Sequence, residues 1–115
     1  MSVTIYHNPR CSKSRQALAL LEEKGVEPEI VLYLESPPTP AALKDIVKKL
    51  KVESPRDIMR RNESVYTEQQ LDGVTNSDAL VEAMAANPIL IERPIVVKGD
   101  KAAIGRPPES VLEIL

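Results

Sequence analysis

Apolar and polar positions alternate near the N-terminus and then change to helical spacing. Val3–Tyr6 alternates the two and predicts a short strand. From Ser12 onward the apolar residues follow a helical stripe, which predicts a first helix that stops at Gly25. Ile30–Leu34 is rich in β-branched and large apolar residues and predicts a second strand. The chain therefore begins with a strand–helix–strand unit.

The middle of the chain carries helical patterns only. Thr39-Pro40 predicts a helix start, because an N-cap residue precedes a proline. The apolar residues of that helix have the spacing i, i+3, i+4, i+7, namely Leu43, Ile46, Val47 and Leu50. Ser54-Pro55 repeats the start signal, Thr67–Gln70 has the spacing of a capping box, and a further helix is predicted over Ser77–Ala86.

The end of the chain returns to strands. Ile95–Lys98 and Lys101–Ile104 flank Gly99-Asp100, which predicts a two-residue hairpin, and a last helix is predicted to run to Leu115. A βαβ unit followed by a hairpin and a helix is the plan of a thioredoxin-like α/β fold, here with a central helical insert. We find no internal repeat and predict one domain over residues 1–115.

Composition removes several classes of function. A net charge of -2 and an aromatic content of 3% argue against a nucleic-acid partner. No apolar run approaches the ~20 residues that cross a membrane, and the first residues do not resemble a signal peptide. We therefore expect a cytoplasmic protein without a membrane partner. One cysteine allows neither an internal disulfide nor a multi-cysteine zinc site, and we expect no bound metal or cofactor.

The single cysteine, Cys11, lies between the first predicted strand and the first predicted helix. Backbone N–H groups at a helix start favour a thiolate and also bind oxyanions. Arg10, Lys13 and Arg15 add positive charge nearby. We expect Cys11 to be an exposed nucleophile with a lowered pKa, and the alternative is a small buried apolar residue.

The single histidine, His7, precedes Cys11 by four residues. A protonated imidazole there would lower the pKa of the thiol, which is the role we favour. A general base and a histidine that satisfies a loop hydrogen bond are the alternatives. Two roles are predicted for the hydroxyl groups of Ser12 and Ser14: they donate a hydrogen bond to the thiolate, or they cap the helix.

Several segments together resemble the ArsC family of glutaredoxin-dependent arsenate reductases. The segment from His7 to Arg15 fits the HxxxCxxxR signature of that family. The other matching segments, in order and with similar spacing, are residues 33–39, 59–62, 87–97 and 105–107. The resemblance spans essentially the whole chain.

This resemblance implies a thioredoxin-like fold, a cis peptide before Pro94, and arsenate as the oxyanion substrate. It implies Cys11 as the nucleophile and His7 as its activator. It implies that the substrate-binding residues are Ser14, Arg60, Arg93 and Arg106. It further implies glutathione as co-substrate and glutaredoxin as partner. A chain with one cysteine requires an external thiol in any case.

Two alternatives stay open. One is a glutathione-dependent thiol reductase with a different substrate, which would have little use for the matched arginines. The other is a regulator like Spx, which binds RNA polymerase. Such regulators sense redox state through Cys-x-x-Cys, whereas this chain has Ser14 at the second cysteine position.

Overall fold

The computed structural model describes residues 2–115, which form two compact units. The first unit comprises the chain up to Ser36 together with Arg93–Leu115, and the second comprises Pro37–Glu92. The first unit contains β1 (Val3–His7), α1 (Ser12–Glu23), β2 (Glu29–Leu32), β3 (Ile95–Lys98), β4 (Lys101–Ile104) and a 3₁₀ helix over Pro108–Ile114.

The sheet of the first unit has the order β2-β1-β3-β4. Strand β1 pairs parallel with β2 and antiparallel with β3, so that Ile5 lies between Ile30 and Val96. Strands β3 and β4 form the predicted hairpin. One apolar core joins the sheet to α1 and the final 3₁₀ helix through Val3, Ile5, Ala17, Leu21, Val96 and Val111. This architecture confirms the predicted α/β fold.

The periods of β1 and α1 decide which polar residues meet beneath the helix. Alternation along β1 buries Val3, Ile5 and His7 on one face. The buried stripe of α1 contains Ser14 and, at i+3 and i+7, two core residues. Because His7 ends the buried row of β1 and Ser14 begins the buried stripe of α1, these two polar side chains come together.

The end of one predicted strand and the type of one predicted helix in the first unit differ from the structure. Strand β2 ends at Leu32 rather than Leu34, because the backbone N–H groups of Glu35 and Ser36 donate to the Leu32 carbonyl and close a turn. The last helix is a 3₁₀ helix. The predicted stop of the first helix is confirmed, since α1 ends at Glu23 and Gly25 has a φ of 76°.

The second unit is helical, as the sequence pattern predicts. It contains α2 (Pro40–Leu50), α3 (Ser64–Glu68) and α4 (Ser77–Ala86), with short 3₁₀ helices at Pro55–Ile58, Leu71–Gly73 and Pro88–Leu90. The predicted caps at Thr39 and Ser54 are both formed. The helix start expected at Thr67 is wrong: Thr67 lies inside α3, and the helix ends before Gln70, which has a φ of 52°.

Arg56 organises the irregular part of the second unit. Its guanidinium donates to the Tyr66 hydroxyl and to the carbonyl oxygens of Leu71 and Val74. The Tyr66 hydroxyl in turn donates to Asp72 over 3.1 Å. One arginine therefore ties the first 3₁₀ helix to α3 and to the turn that follows.

Candidate active site

Cys11 is the N-cap residue of α1, at the end of the loop that follows β1. Its backbone N–H donates to the Asn8 carbonyl over 3.0 Å, and its own carbonyl accepts from Arg15 N–H over 3.0 Å. The residue is 8% exposed, so the expectation of an exposed thiol is wrong. The hydrogen bond to Asn8 closes a turn over residues 8–11.

Several groups stabilise the thiolate of Cys11 against the cost of burial. Burial raises the pKa of the thiol, but hydrogen bonds from the backbone N–H groups of Ser14 and Lys13 and the charge and hydrogen bond of Arg93 lower it. The net effect holds the pKa below its usual value, as expected for the first turn of a helix.

Two arginines from the far end of the first unit approach the thiol. Arg106 Nη2 lies 4.0 Å from Cys11 Sγ, and Arg106 Nε donates to the Arg93 carbonyl over 2.9 Å. The Nε and Nη1 atoms of Arg93 are buried. The structure thus brings Cys11, Arg93 and Arg106 together, and the peptide between Arg93 and Pro94 is cis, as the resemblance implied.

The positive charge that lowers the pKa of the thiol comes from Arg93 rather than from its neighbours in sequence. Arg10 and Lys13 are exposed. Arg15 donates through Nη1 to the Pro9 carbonyl over 2.8 Å, and this hydrogen bond connects α1 to the loop that follows β1. The charge that lowers the pKa of the thiol therefore comes from a segment distant in sequence and not from the three cations beside Cys11 in the sequence.

His7 and Ser14 form a buried polar pair next to the cysteine loop. His7 Nδ1 lies 2.6 Å from Ser14 Oγ, and Ser14 Oγ also accepts from Asn8 N–H over 3.0 Å. Ser14 therefore reaches the thiol through its backbone N–H, while its hydroxyl holds the histidine and the loop. Neither of the two hydroxyl roles predicted for Ser14 is the one its side chain fills.

The environment of His7 disfavours the imidazolium. Burial lowers the pKa of His7 below 6.5, and the charge of Arg15 lowers it further. This direction argues against the protonated histidine expected from the sequence. Of the alternatives, the loop hydrogen bond is the one formed, and it joins His7 to Ser14, whose backbone N–H donates to the sulfur of Cys11.

Asn8 helps to build the site, although its place in the sequence predicts only a turn. Its carbonyl accepts from Cys11 N–H, its Oδ1 accepts from Arg10 N–H over 3.0 Å, and its N–H donates to Ser14. The tendency of Asn to bond neighbouring backbone groups was the available signal.

Arg60 belongs to the second unit. Its N–H donates to the Leu90 carbonyl over 2.7 Å, next to a β-bridge between Met59 and Ile91. Its guanidinium pairs with Glu63, with Nη1 and Oε1 2.5 Å apart. A role for Arg60 in substrate binding stays a prediction.

Within residues 2–115 no group of three or more His, Cys, Asp or Glu side chains is arranged to hold a metal ion. None of the helices over the same residues has the length and apolar character needed to cross a membrane.

The fold and the thiol site define the class as a thiol enzyme of thioredoxin-like architecture. The family model described as ArsC family matches residues 6–114, and the chain belongs to that family. The uncharacterized protein YfgD of Escherichia coli is 58% identical over 98% of this chain and 96% of its own. An arsenate reductase of Haemophilus influenzae is 53% identical over 100% of both chains. The structure of an arsenate reductase from Vibrio cholerae matches with a TM-score of 0.96 at 52% identity, covering 100% of this chain and 98% of that one.

Proposed function

We propose that this protein is an arsenate reductase that uses Cys11 as its nucleophile. The observation that carries the proposal is the thiol of Cys11 at the N-terminus of α1, with a lowered pKa and the Arg106 guanidinium 4.0 Å away. Membership of the ArsC family and relatives named arsenate reductase support the substrate.

In the first step the Cys11 thiolate attacks arsenic(V). An As–S bond forms and an As–O bond breaks, and the departing oxygen takes up protons and leaves as water. Arsenate carries negative charge in the ground state and in the transition state. The guanidinium groups of Arg93 and Arg106 are planar cationic donors, which suits them to that charge. We assign Arg60 the same role, as the third arginine.

The remaining steps need thiols from outside the chain, because Cys11 is its single cysteine. Glutathione attacks the arsenic of the adduct and forms a second As–S bond, while a second As–O bond breaks and its oxygen takes up protons and leaves as water. Glutaredoxin thiolate then attacks the glutathione sulfur, which gives a mixed disulfide and leaves two electrons on arsenic. The resulting arsenic(III) is released from Cys11 by water as arsenite, and the thiolate is restored. No bound cofactor enters this scheme.

Ser14 and His7 act on the nucleophile by position. The backbone N–H of Ser14 donates to the sulfur, and the Ser14 hydroxyl is fixed by His7 and Asn8. We propose that residues 1–115 work as one catalytic domain in the cytoplasm, where glutathione and glutaredoxin keep thiols reduced.

The test measures NADPH oxidation with arsenate, glutathione, glutaredoxin and glutathione reductase. We expect arsenate-dependent turnover in the wild type and a loss of at least about a thousandfold in Cys11→Ser, because a hydroxyl is not ionised at neutral pH. Ser12→Ala, a change of the exposed neighbouring residue, is the matched control and should keep turnover.

Two results would count against the proposal. Turnover retained in Cys11→Ser would remove Cys11 from the mechanism. A wild type that is folded and rapidly alkylated at Cys11, yet inactive with arsenate, would favour a thiol reductase with a different substrate.

A further inference from the structure

Glu63, three residues after Arg60, has a carboxylate that does not cap the helix it precedes. Glu63 is the N-cap residue of α3, yet its side chain makes no capping hydrogen bond. Its Oε1 instead lies 2.5 Å from Arg60 Nη1. Both side chains are half-buried, 27% and 23% exposed, whereas those of the Lys44–Asp78 pair are 54% and 70% exposed. The carboxylate is therefore directed at Arg60.

The backbone around the pair is fixed on both sides. Arg60 N–H is held by the Leu90 carbonyl, and Glu63 N–H donates to the Arg60 carbonyl over 3.2 Å. Because the backbone is held independently, the ion pair controls the guanidinium rather than the course of the chain. A guanidinium has five N–H donors, and this contact uses Nη1, which leaves Nε and Nη2 to a second anion.

We propose that Glu63 is a positioning residue that holds Arg60 in the free enzyme and lowers its affinity for the oxyanion. This inference rests on the proposed function, in which Arg60 binds arsenate. A carboxylate at hydrogen-bond distance from the guanidinium offsets the positive charge that an incoming dianion meets. It also occupies one donor that the oxyanion would otherwise use. Glu63 therefore sets the KM for the oxyanion.

The test compares Glu63→Gln with the wild type in the coupled arsenate assay. Glutamine keeps the shape and an acceptor oxygen but removes the charge. We expect the KM for arsenate to fall by about three- to tenfold, which is the range for removing one partly shielded charge. The change should appear in KM rather than in kcat, a division that general loss of structure would not produce.

Two further variants sharpen the test. Glu68→Gln makes the same chemical change at an exposed residue at the end of α3, and should leave KM within about twofold of the wild type. In an Arg60→Ala background, Glu63→Gln should no longer lower KM, because the group through which Glu63 acts is gone. If Glu63→Gln does not fold, Glu63→Ser carries the same expectation, since serine is a favoured N-cap residue.

Other outcomes would contradict either the role of Glu63 alone or the proposed function as well. An unchanged KM in Glu63→Gln, or an equal fall in Glu68→Gln, overturns the role of Glu63 and leaves the proposed function intact. A persistent effect in the Arg60→Ala background does the same. A wild type without Cys11-dependent turnover overturns the proposed function and this inference together.

Discussion

The two units hold their arginines in different ways. In the first unit, Arg93 and Arg106 flank a tightly packed junction: Gly105 lies between β4 and Arg106, and its N–H donates to the Pro94 carbonyl over 2.9 Å. In the second unit, Arg60 is held by the side chain of Glu63. Close packing gives a fixed geometry, whereas an ion pair between partly exposed side chains can exchange one partner for another anion.

The difference separates two tasks within one proposed site. Arg93 lowers the pKa of the Cys11 thiol, an effect that depends on the position of its guanidinium beside the sulfur. Arg60, as proposed, binds and releases an oxyanion, which is easier when a resident carboxylate takes the place of the anion. If close packing fixes the first arrangement, a substitution at its junction should cost more stability than a matched substitution elsewhere.

The largest expected effect is that of Gly105→Ala. A Cβ at this position would lie 2.6 Å from Pro94 Cγ and 3.3 Å from Ala17 Cβ, so the ring or the backbone must shift. Overpacking of this kind costs about 1–3 kcal/mol, and we expect the upper part of that range, measured as the free energy of unfolding in urea.

Gly73→Ala is the matched control in the second unit, where nothing lies within 4 Å of the added Cβ. Its free energy of unfolding should change by less than about 0.5 kcal/mol. Equal destabilisation by the two substitutions would show that the junction at Gly105 is not specially packed.

The next effect in size concerns the source of the charge at the thiol. In Arg93→Ala we expect the pKa of Cys11 to rise, because the variant lacks both the charge and the hydrogen bond of Arg93. The pH profile of Cys11 alkylation by iodoacetamide measures this, and its midpoint should move to higher pH with several-fold slower reaction at pH 7.

Arg10→Ala removes a cation adjacent to Cys11 in sequence and is the control. Its alkylation midpoint should stay with that of the wild type, since Arg10 is exposed and does not act on the thiol. A shift in Arg10→Ala as large as that in Arg93→Ala would restore the view that sequence neighbours supply the charge.

Part of the fold and of the candidate site can be predicted from the sequence. Local patterns were sufficient for the strand, the helix and the cysteine between them, because hydrophobic period and cap residues act over a few positions. They put His7 in the loop with Cys11, whereas His7 is the last residue of β1 and Cys11 is the N-cap residue of α1. They could not show that the thiol is enclosed or that His7 is buried, since both depend on what packs over the loop.

Contacts between distant segments account for the rest. Arg106 and Cys11 are 95 residues apart in the chain and meet only through the pairing of β1 with β3 and of β3 with β4. The arginines were identified by family resemblance and not by any local signal. The Glu63 contact is local in sequence, but the spacing i, i+3 does not reveal whether a pair is shielded from solvent.

The smallest expected effect concerns His7, whose burial is a further sign of close packing in the first unit. Because burial and Arg15 lower the pKa of His7, its imidazole should titrate with a midpoint below 6.5. The single histidine gives one imidazole C2 proton resonance, so proton NMR measures this midpoint directly.

A lowered pKa means that the unfolded chain takes up the proton more readily than the folded one. The stabilising contribution of neutral His7 is therefore complete above pH 6.5 and lost as the pH falls through the lowered pKa. A midpoint at or above 6.5 would instead support a charged His7 that activates Cys11.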